Sequence, residues 1–286
     1  MHRAMNKPVK SLDGLASVRH AVPPPLAKVA VVMAAFNAER TIGEAVRSIV
    51  NGTYPCRLFI VDDCSAIPVH SVLSDVDPAR VEIIRLDHNV GPARARNLAL
   101  ERIASEGYDF IAIMDADDIA RPDRIAMQVG FLESNPHIGL VGSWVRLIED
   151  RSGRVVGHSE LPCDPQSIRD RLPVRMCMSH PTWMVRAEVF SAVGCYSPSY
   201  RAAEDYELLR RVAARFDVAT MPDYLVDYRL SLDGISSRSR RRELLNRIRI
   251  QLRHLDVRNW RAWGGLGRTL ALLLFPLTIH GPKINR

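Results

Sequence analysis

The chain has 286 residues, of which 47% are hydrophobic and 25% are charged, the composition of a globular protein with a core of its own. Residues 1–28 carry a net charge of +4, residues 29–237 one of −7 and residues 238–286 one of +10. The basic character belongs to the two ends. This argues against a nucleic-acid-binding core and predicts no nucleic-acid partner.

The five cysteines are odd in number and include no C-x-x-C pair. This favours a reducing compartment over a disulfide framework or a zinc site. The first residues hold no apolar segment of the kind found in signal peptides. The longest apolar stretch, 270–279, is shorter than the ~20 residues that span a bilayer. We therefore expect a cytoplasmic protein.

The polar segment 1–28, which ends in a proline spacer, predicts a flexible tail. After it, short apolar runs alternate with segments that carry one apolar face at helical spacing. The runs predict strands at 29–33, 58–61, 81–86 and 110–114, and the amphipathic segments predict helices that start at 42, 69, 92 and 122. Thr41 and Glu44 fit a capping box at the start of the first helix. This alternation predicts an α/β fold with a mostly parallel sheet and helices on both faces.

The alternation breaks down after residue 138. Here the pattern predicts strands at 138–148, 182–186 and 224–230, a turn at 151–154 and a helix at 202–214. No linker separates this region from the first. We therefore expect one catalytic domain over 29–237, made of a first half, 29–149, and a second half, 150–237, packed on the same sheet.

Two clusters of acids follow predicted strands: Asp62 with Asp63, and Asp115 with Asp117 and Asp118. Ligands bind at the carboxyl ends of parallel strands, so two clusters at this edge favour a site. The chain has no G-x-G-x-x-G or G-K-[ST] loop to cradle phosphates. A divalent cation can bridge a diphosphate instead, and carboxylates suit Mg²⁺ or Mn²⁺. The alternative is that the second cluster only ends a strand and caps a turn.

Several stretches carry a family resemblance. In the first half they read V-V-M-A-A-F-N-A-E-R-T-I-G-E-A-V, F-I-V-D-D-C-S, N-V-G-P-A-R-A-R-N and I-M-D-A-D-D-I-A-R-P-D-R; in the second, S-H-P-T-W-M-V-R, A-E-D-Y-E-L-L-R-R and Y-R-L-S-L-D-G-I-S. Together, over 28–237, they resemble family 2 glycosyltransferases. The resemblance implies a GT-A fold, a Rossmann-like, mostly parallel sheet flanked by helices, with the nucleotide bound by 29–149 and the acceptor by 150–237.

The resemblance also implies a role for each of several residues. Asp63 would accept a hydrogen bond from the base, uracil being favoured, and Ala35 and Phe36 would line the base pocket. Asp115 would hold the ribose or diphosphate side, and Asp117 would ligate Mn²⁺ or Mg²⁺. Asp205 would be the general base. The phosphates would be approached by Arg94 or Arg96, which point from different faces of one helix.

One position departs from the family pattern. Many relatives carry a histidine in the segment Y-R-x-H, where this chain has Ser231. A hydroxyl is a poorer ligand than an imidazole, so either the cation is held more loosely or Arg229 takes more of the diphosphate charge.

The implied reaction is an inverting transfer of a sugar from a nucleotide-diphosphate donor, with a UDP-sugar favoured, to a hydroxyl of a saccharide or lipid-linked saccharide acceptor in surface-polysaccharide assembly. One carboxylate base is enough for such a displacement, since the cation stabilises the leaving diphosphate. Two alternatives stay open. One is a phosphatase of the haloacid dehalogenase type with Asp115 as nucleophile, and the other is a scaffold that binds nucleotide sugars without turnover.

The C-terminal segment 238–286 predicts a basic amphipathic helical tail. Its apolar stripe is flanked by arginines and followed by two tryptophans; the stripe consists of Leu245, Ile248, Leu252 and Leu255. One interpretation is a helix that lies on an anionic membrane surface, which would place the protein peripherally on the inner face of the cell membrane. The other is that the stripe packs on the catalytic domain.

Overall fold

The computed structural model describes residues 26–230 and 240–275. Its first half is a parallel β-sheet with the strand order β3-β2-β1-β4. The four strands are β1 (Val29–Ala35), β2 (Cys56–Asp62), β3 (Val81–Arg85) and β4 (Phe110–Asp115). They are connected by α1 (Ile42–Val50), α2 (Val69–Val72) and α3 (Pro92–Ile103). The predicted α/β architecture is confirmed.

Strand β1 lies in the centre of this half and is buried on both faces, which is why it reads as a continuous apolar run. Val31 and Met33 point to the core formed with α1. Ala30 and Val32 point to the opposite core, formed with α3. With both faces covered by helices, only the carboxyl edge of the strands is left to form a site.

The same sheet continues through the second half. The order β4-β8-β6-β9-β5 follows, and a further strand, β7, pairs with β6. Strand β8 runs antiparallel to β4 and β6, whereas β9 runs parallel to β6. The elements are β5 (Ile119–Ala120), α4 (Arg124–Ser134), β6 (Ile138–Glu149), β7 (Val155–Ser159), α5 (Pro165–Arg171), a 3₁₀ turn (His180–Thr182), β8 (Met184–Arg186), α6 (Ala187–Val193), α7 (Glu204–Ala213) and β9 (Asp217–Leu230).

Some predicted boundaries are wrong. The strand expected at 182–186 begins only at Met184, because a 3₁₀ turn occupies the preceding residues. The strand expected at 224–230 is the second part of the 14-residue β9. The sequence did not predict β5, β7, α5 or α6, which are elements of two to seven residues and are too short to show a period.

The predicted capping box at α1 is also wrong. Thr41 makes no side-chain cap; its hydroxyl donates instead to the carbonyl oxygen of Ala116 at 3.0 Å. Glu44 does not reach back to the N-cap but pairs with Arg229 at 2.7 Å. Both side chains therefore tie α1 to the loops around the acid clusters.

The C-terminal region forms two helices, α8 (Arg240–Arg253) and α9 (Trp260–Leu274), where the sequence predicted one. Helix α8 packs on the catalytic domain. Ile250 is fully buried in the core beneath α3 and α7, and Asn246 donates a hydrogen bond to the carbonyl oxygen of Ala202 at 2.9 Å. Helix α8 thus packs on the domain, but not through the predicted stripe: Leu245 and Leu252 are 42% and 52% exposed, and the packed face carries Leu244, Asn246, Ile250 and Gln251.

Helix α9 touches the domain through one face only. Gly265 lies so close to Pro173 that an added Cβ would come within 2.5 Å of its carbonyl oxygen. The opposite face exposes Trp260, Trp263 and Leu274 to solvent. Within residues 26–230 and 240–275, no helix combines the length and the apolar character needed to span a bilayer.

Candidate active site

A cleft of about 1040 Å³ opens at the carboxyl edge of the sheet. The loops after β1, β2 and β4, the starts of α3 and α7, the ends of β6 and β9 and one residue of α8 form its walls. Both acid clusters contribute to it. A smaller pocket of about 490 Å³ lies between α5 and α9 and contains neither cluster, so the chemistry belongs to the larger cleft.

The two acids after β2 have different surroundings. Asp62 is fully buried and accepts hydrogen bonds from the backbone N–H groups of Ser65 and Val69, so it holds its own loop together. Asp63 lines the cleft and accepts hydrogen bonds from the N–H groups of Val90 at 2.7 Å and Gly91 at 2.8 Å. Each carboxylate oxygen can accept a second bond. Asp63 is therefore both an anchor for the start of α3 and an available acceptor.

The residue that precedes α3, Gly91, has a backbone conformation that favours glycine. Its φ is +87°, in the region that side-chain-bearing residues avoid. This conformation lets its N–H point back to Asp63 while Pro92 starts the helix.

The two residues predicted to form the base pocket both line the cleft. Ala35 is buried, and its carbonyl oxygen accepts a hydrogen bond from the N–H of Asp63 at 2.8 Å. Phe36 is 47% exposed, although a lone phenylalanine usually lies in a core. An aromatic face open to a cleft can stack on a planar base.

Arg96, and not Arg94, reaches the cleft. Arg94 lies on the exposed side of α3 and is absent from the cleft wall, because residues two apart on a helix face different directions. Arg96 is buried and donates to Asp115 at 2.7 Å and to Glu204 at 3.3 Å. Although burial acts to raise the pKa of Asp115, the positive charge of Arg96 holds that pKa below its ordinary value.

Asp117 has the chemistry of a metal ligand. Its side chain lines the cleft, and the described residues give it neither a hydrogen bond nor an ion pair. Burial and the nearby charge of Asp115 raise its pKa to about 6, and a dication would relieve both effects. No group of three or more histidines, cysteines or acids converges among residues 26–230 and 240–275. One or two carboxylates suffice for Mg²⁺ or Mn²⁺ when phosphates and water complete the coordination.

The neighbouring residues hold the Asp117 loop in place. Asp118 is buried and accepts a hydrogen bond from the N–H of Arg229 at 2.9 Å. The guanidinium of Arg229 donates to the carbonyl oxygens of Asp117 and Asp150 at 2.8 Å and 2.6 Å, and it pairs with Glu44. Arg229 lines the cleft, and these partners make it a brace for the loop that carries Asp117. Its expected contact with the diphosphate stays a prediction.

Asp205 lies in the first turn of α7 and lines the cleft. Its carboxylate accepts a hydrogen bond from the N–H of Tyr206 at 2.7 Å. Burial raises its pKa to about 7, and the negative charges of Glu204 and Glu243 add to this effect. A base is most effective when its pKa lies near the working pH.

His180 lines the cleft as a buried residue. Its Nε2 lies 2.8 Å from the hydroxyl of Tyr196. Burial and the charge of Arg96 lower its pKa to about 3, so the ring is neutral at physiological pH.

Backbone strain is concentrated around the cleft. Within the described residues, three non-glycine residues have positive φ: Asn37, Cys64 and Ala203, at 51°, 65° and 64°. Asn37 and Ala203 line the cleft, and Cys64 follows Asp63 directly. Conformations of this kind cost about 1 kcal/mol or more and gather at functional sites.

Sequence reasoning missed several members of the site. Arg40 and Asp150, which both line the cleft, pair with each other at 2.7 Å, and Glu243 brings α8 into the wall. Asp150 and Glu243 lie in none of the quoted stretches, and Arg40, which lies in the first, is 110 residues from its partner, so no local signal marks the pairing. Ser231, the departure from the family pattern, lies outside the described residues.

Two sets of solved structures share this fold. The mannosyltransferase PcManGT from Pyrobaculum calidifontis, in complex with GDP-Man and Mn²⁺, matches with a TM-score of 0.63 at 17% identity, covering 92% of this chain and 79% of that one. S. aureus TarS 1-349 in complex with UDP matches with a TM-score of 0.60 at 18% identity, covering 86% and 70%. The architecture is that of the GT-A glycosyltransferases.

Sequence comparison identifies the family. The model of glycosyl transferase family 2 matches residues 30–194. An uncharacterized glycosyltransferase of Haemophilus influenzae is 30% identical over 220 residues, which is 73% of this chain and 67% of that protein. The amylovoran biosynthesis glycosyltransferase AmsE of Erwinia amylovora is 29% identical over 157 residues, 54% and 57% of the two chains. The chain belongs to glycosyl transferase family 2 and is a glycosyltransferase.

Proposed function

We propose that this protein is an inverting glycosyltransferase that uses a UDP-sugar and a divalent cation, Mn²⁺ or Mg²⁺. The observation that carries the proposal is that one cleft holds Asp63, Asp117 and Asp205 in three different surroundings. The first is anchored by backbone N–H groups, the second has no protein partner among the described residues, and the third has a pKa of about 7.

The first half, 29–149, binds the nucleotide. Asp63 accepts a hydrogen bond from the base, and Phe36 lies against its face, since both line the same end of the cleft as Ala35. A uracil N3–H would suit the acceptor-only carboxylate of Asp63. The structural neighbour TarS binds UDP, which supports uridine over guanosine, although PcManGT binds GDP-Man.

The diphosphate lies beside the Asp115–Asp117 loop. Asp117 would hold the cation, helped by the nearby charge of Asp115, and a bound cation would offset the negative charge that the leaving diphosphate gains. Arg96 keeps Asp115 ionised, and Arg229 fixes the main chain at Asp117. These protein groups are in place before a donor arrives, so little reorganisation is needed during transfer.

The second half, 150–237, binds the acceptor. Asp205 accepts the proton of the acceptor hydroxyl as that oxygen attacks the anomeric carbon. General-base help of this kind is typically worth ~10²–10⁴ in rate. A single displacement with one base inverts the anomeric configuration and needs no second carboxylic acid, unlike glycoside hydrolysis.

The acceptor is a saccharide or a lipid-linked saccharide, and the reaction belongs to surface-polysaccharide assembly. The amylovoran biosynthesis relative supports this. A lipid-linked acceptor would bring the enzyme to the inner face of the cell membrane, where we propose that it works as a peripheral cytoplasmic protein. Membership of glycosyl transferase family 2 speaks against a phosphatase with Asp115 as nucleophile. The ion pair of Asp115 with Arg96 also leaves that carboxylate engaged.

The proposal is tested first by ligand binding. The melting temperature is measured with UDP, GDP and dTDP, each with Mn²⁺ or with chelator. We expect the largest rise with UDP and Mn²⁺. Asp117→Asn should remove the metal-dependent part of the rise in melting temperature. Asp75→Asn, at an exposed acid, should leave that part unchanged. Equal stabilisation with metal and with chelator would refute the role of the cation.

Turnover tests the base. UDP release from UDP-glucose, UDP-galactose and UDP-N-acetylglucosamine is followed with the purified enzyme and a saccharide panel. Asp205→Asn should lower the transfer rate by a factor of ~10² or more and keep the UDP-dependent thermal shift. Loss of both would show that Asp205 is structural. Retention of donor configuration in the product, determined by NMR, would contradict an inverting displacement.

A further inference from the structure

Helix α9 has two apolar faces, and only one of them is covered. Ala262, Gly265, Leu266 and Thr269 are buried against the domain. On the opposite side a continuous stripe faces solvent, with exposures of 76% at Trp260, 50% at Trp263, 40% at Leu270, 70% at Leu274 and 71% at Phe275. Contiguous exposed apolar surface of this kind usually marks a contact with a protein or a membrane.

A basic pocket lies beside the first turn of this stripe. The pocket has a volume of about 490 Å³ and is lined by Trp260 and Gly264 of α9, by Arg171 at the end of α5 and by Arg175 in the segment that follows it. Both of these arginines are exposed, and within the described part of the chain neither forms an ion pair. The one acid in the wall, Asp170, is paired with Arg261 at 2.6 Å. The pocket thus has two available guanidinium groups, which bind phosphate with paired N–H donors.

The region around the pocket is also positively charged. Residues 238–286 carry a net charge of +10. Further arginines of this region are exposed, and the described residues offer them no ion pair; they include Arg249, Arg253, Arg258 and Arg268. Tryptophans and aliphatic residues on one face, with arginines beside them, are typical of helices that lie in a membrane interface.

We propose that the exposed face of α9 and the pocket between α5 and α9 form one docking surface for an anionic lipid bilayer, in which the apolar stripe enters the interface and the pocket takes lipid phosphate groups. This gives the proposed peripheral location a specific surface. It assigns the contact to α9. The stripe predicted from the sequence belongs to α8, where Leu245 and Leu252 are 42% and 52% exposed while Ile250 and Asn246 are buried in the domain.

Vesicle flotation of the full-length protein tests the surface. Vesicles of phosphatidylcholine alone are compared with vesicles that also contain phosphatidylglycerol. We expect flotation with the anionic vesicles only, weakened by salt because the exposed charges are screened. Equal binding to both vesicle types, or binding to neither, would overturn the proposal.

Two pairs of variants separate the apolar and basic parts. Trp260→Ala with Trp263→Ala should weaken partitioning about tenfold or more, and Arg171→Gln with Arg175→Gln about 30-fold. The matched controls are Ile67→Ala, an exposed apolar residue elsewhere, and Arg151→Gln with Arg154→Gln in the β6–β7 turn. Losses as large in the controls would overturn the assignment. Normal flotation of the α5 arginine variant would overturn the phosphate pocket.

A measurement on the unmodified protein guards against misfolded variants. The chain has four tryptophans, and Trp183 is fully buried whereas Trp260 is mostly exposed. Anionic vesicles should shift the emission to the blue, and lipids brominated on the acyl chain should quench it; absence of both would contradict the proposal. A dimer in light scattering that Trp260→Ala breaks would assign the face to a second copy instead. UDP-dependent melting needs no lipid, so failure here leaves the proposed chemistry intact.

Discussion

The raised pKa of Asp205 makes the stability of the protein depend on pH. Burial and its acidic neighbours raise its pKa from 3.8 to about 7, a difference of about three units, or about 4 kcal/mol. Because the folded state favours the protonated acid, ionised Asp205 destabilises the fold, and this destabilisation is absent below pH 4. It grows as the pH rises from 4 to 7 and is complete above 7.

Asp205→Asn removes this cost while keeping an oxygen that can accept the hydrogen bond from Tyr206. We expect the variant to be more stable than the wild type by up to about 4 kcal/mol at pH 8, and by only about 2 kcal/mol at pH 5, where the folded wild-type acid is already protonated. Urea unfolding of both proteins at the two pH values measures the difference.

Asp75→Asn provides the control, since that side chain is 60% exposed and should change stability little at either pH. A stability increment for Asp205→Asn that is equal at pH 5 and pH 8, or a loss of stability at pH 8, would refute the reasoning. In that case the pKa of Asp205 would not be raised, and the argument that this carboxylate suits a general base near neutral pH would fail.

Three further predictions concern the C-terminal helices. Glu243→Gln removes a negative charge that raises the pKa of Asp205, so the acidic limb of the pH–rate profile should move to lower pH; a shift to higher pH would contradict this. Asn246→Ala should cost about 1–3 kcal/mol, because it leaves a buried carbonyl unpaired, and should speed amide exchange at 201–206. Gly265→Ala should destabilise by about 1–3 kcal/mol in thermal or urea unfolding, whereas Gly267→Ala, whose Cβ meets nothing within 4 Å, should stabilise α9 slightly.

The parallel half of the sheet could be predicted because its strands are buried on both faces. Val29–Ala35 and Phe110–Asp115 pack between helices on two sides, and a short continuous apolar run between two helical segments is typical of such a strand. The acids at the strand ends could be placed for the same reason, since the strand fixes where its last residue lies. Family resemblance then supplied roles that spacing alone does not determine.

The rest could not be predicted because it depends on contacts between distant residues. Glu44 fits a local cap, but its partner, Arg229, is 185 residues away. Arg94 and Arg96 look alike in sequence, and only packing shows which one is buried against Asp115. Helix α9 combines two apolar faces, so the hydrophobic pattern does not show which one meets the domain.

The brace formed by Arg229 has a practical consequence for testing the metal site. Its guanidinium holds residues 117 and 150 through their peptide oxygens, and those atoms are present whatever amino acid occupies either position. Exchanging the carboxylate of Asp117 should therefore delete a ligand without collapsing the segment that carries it. An inactive Asp117→Asn protein that melts no lower than the wild type would show that activity was lost through coordination chemistry and not through unfolding.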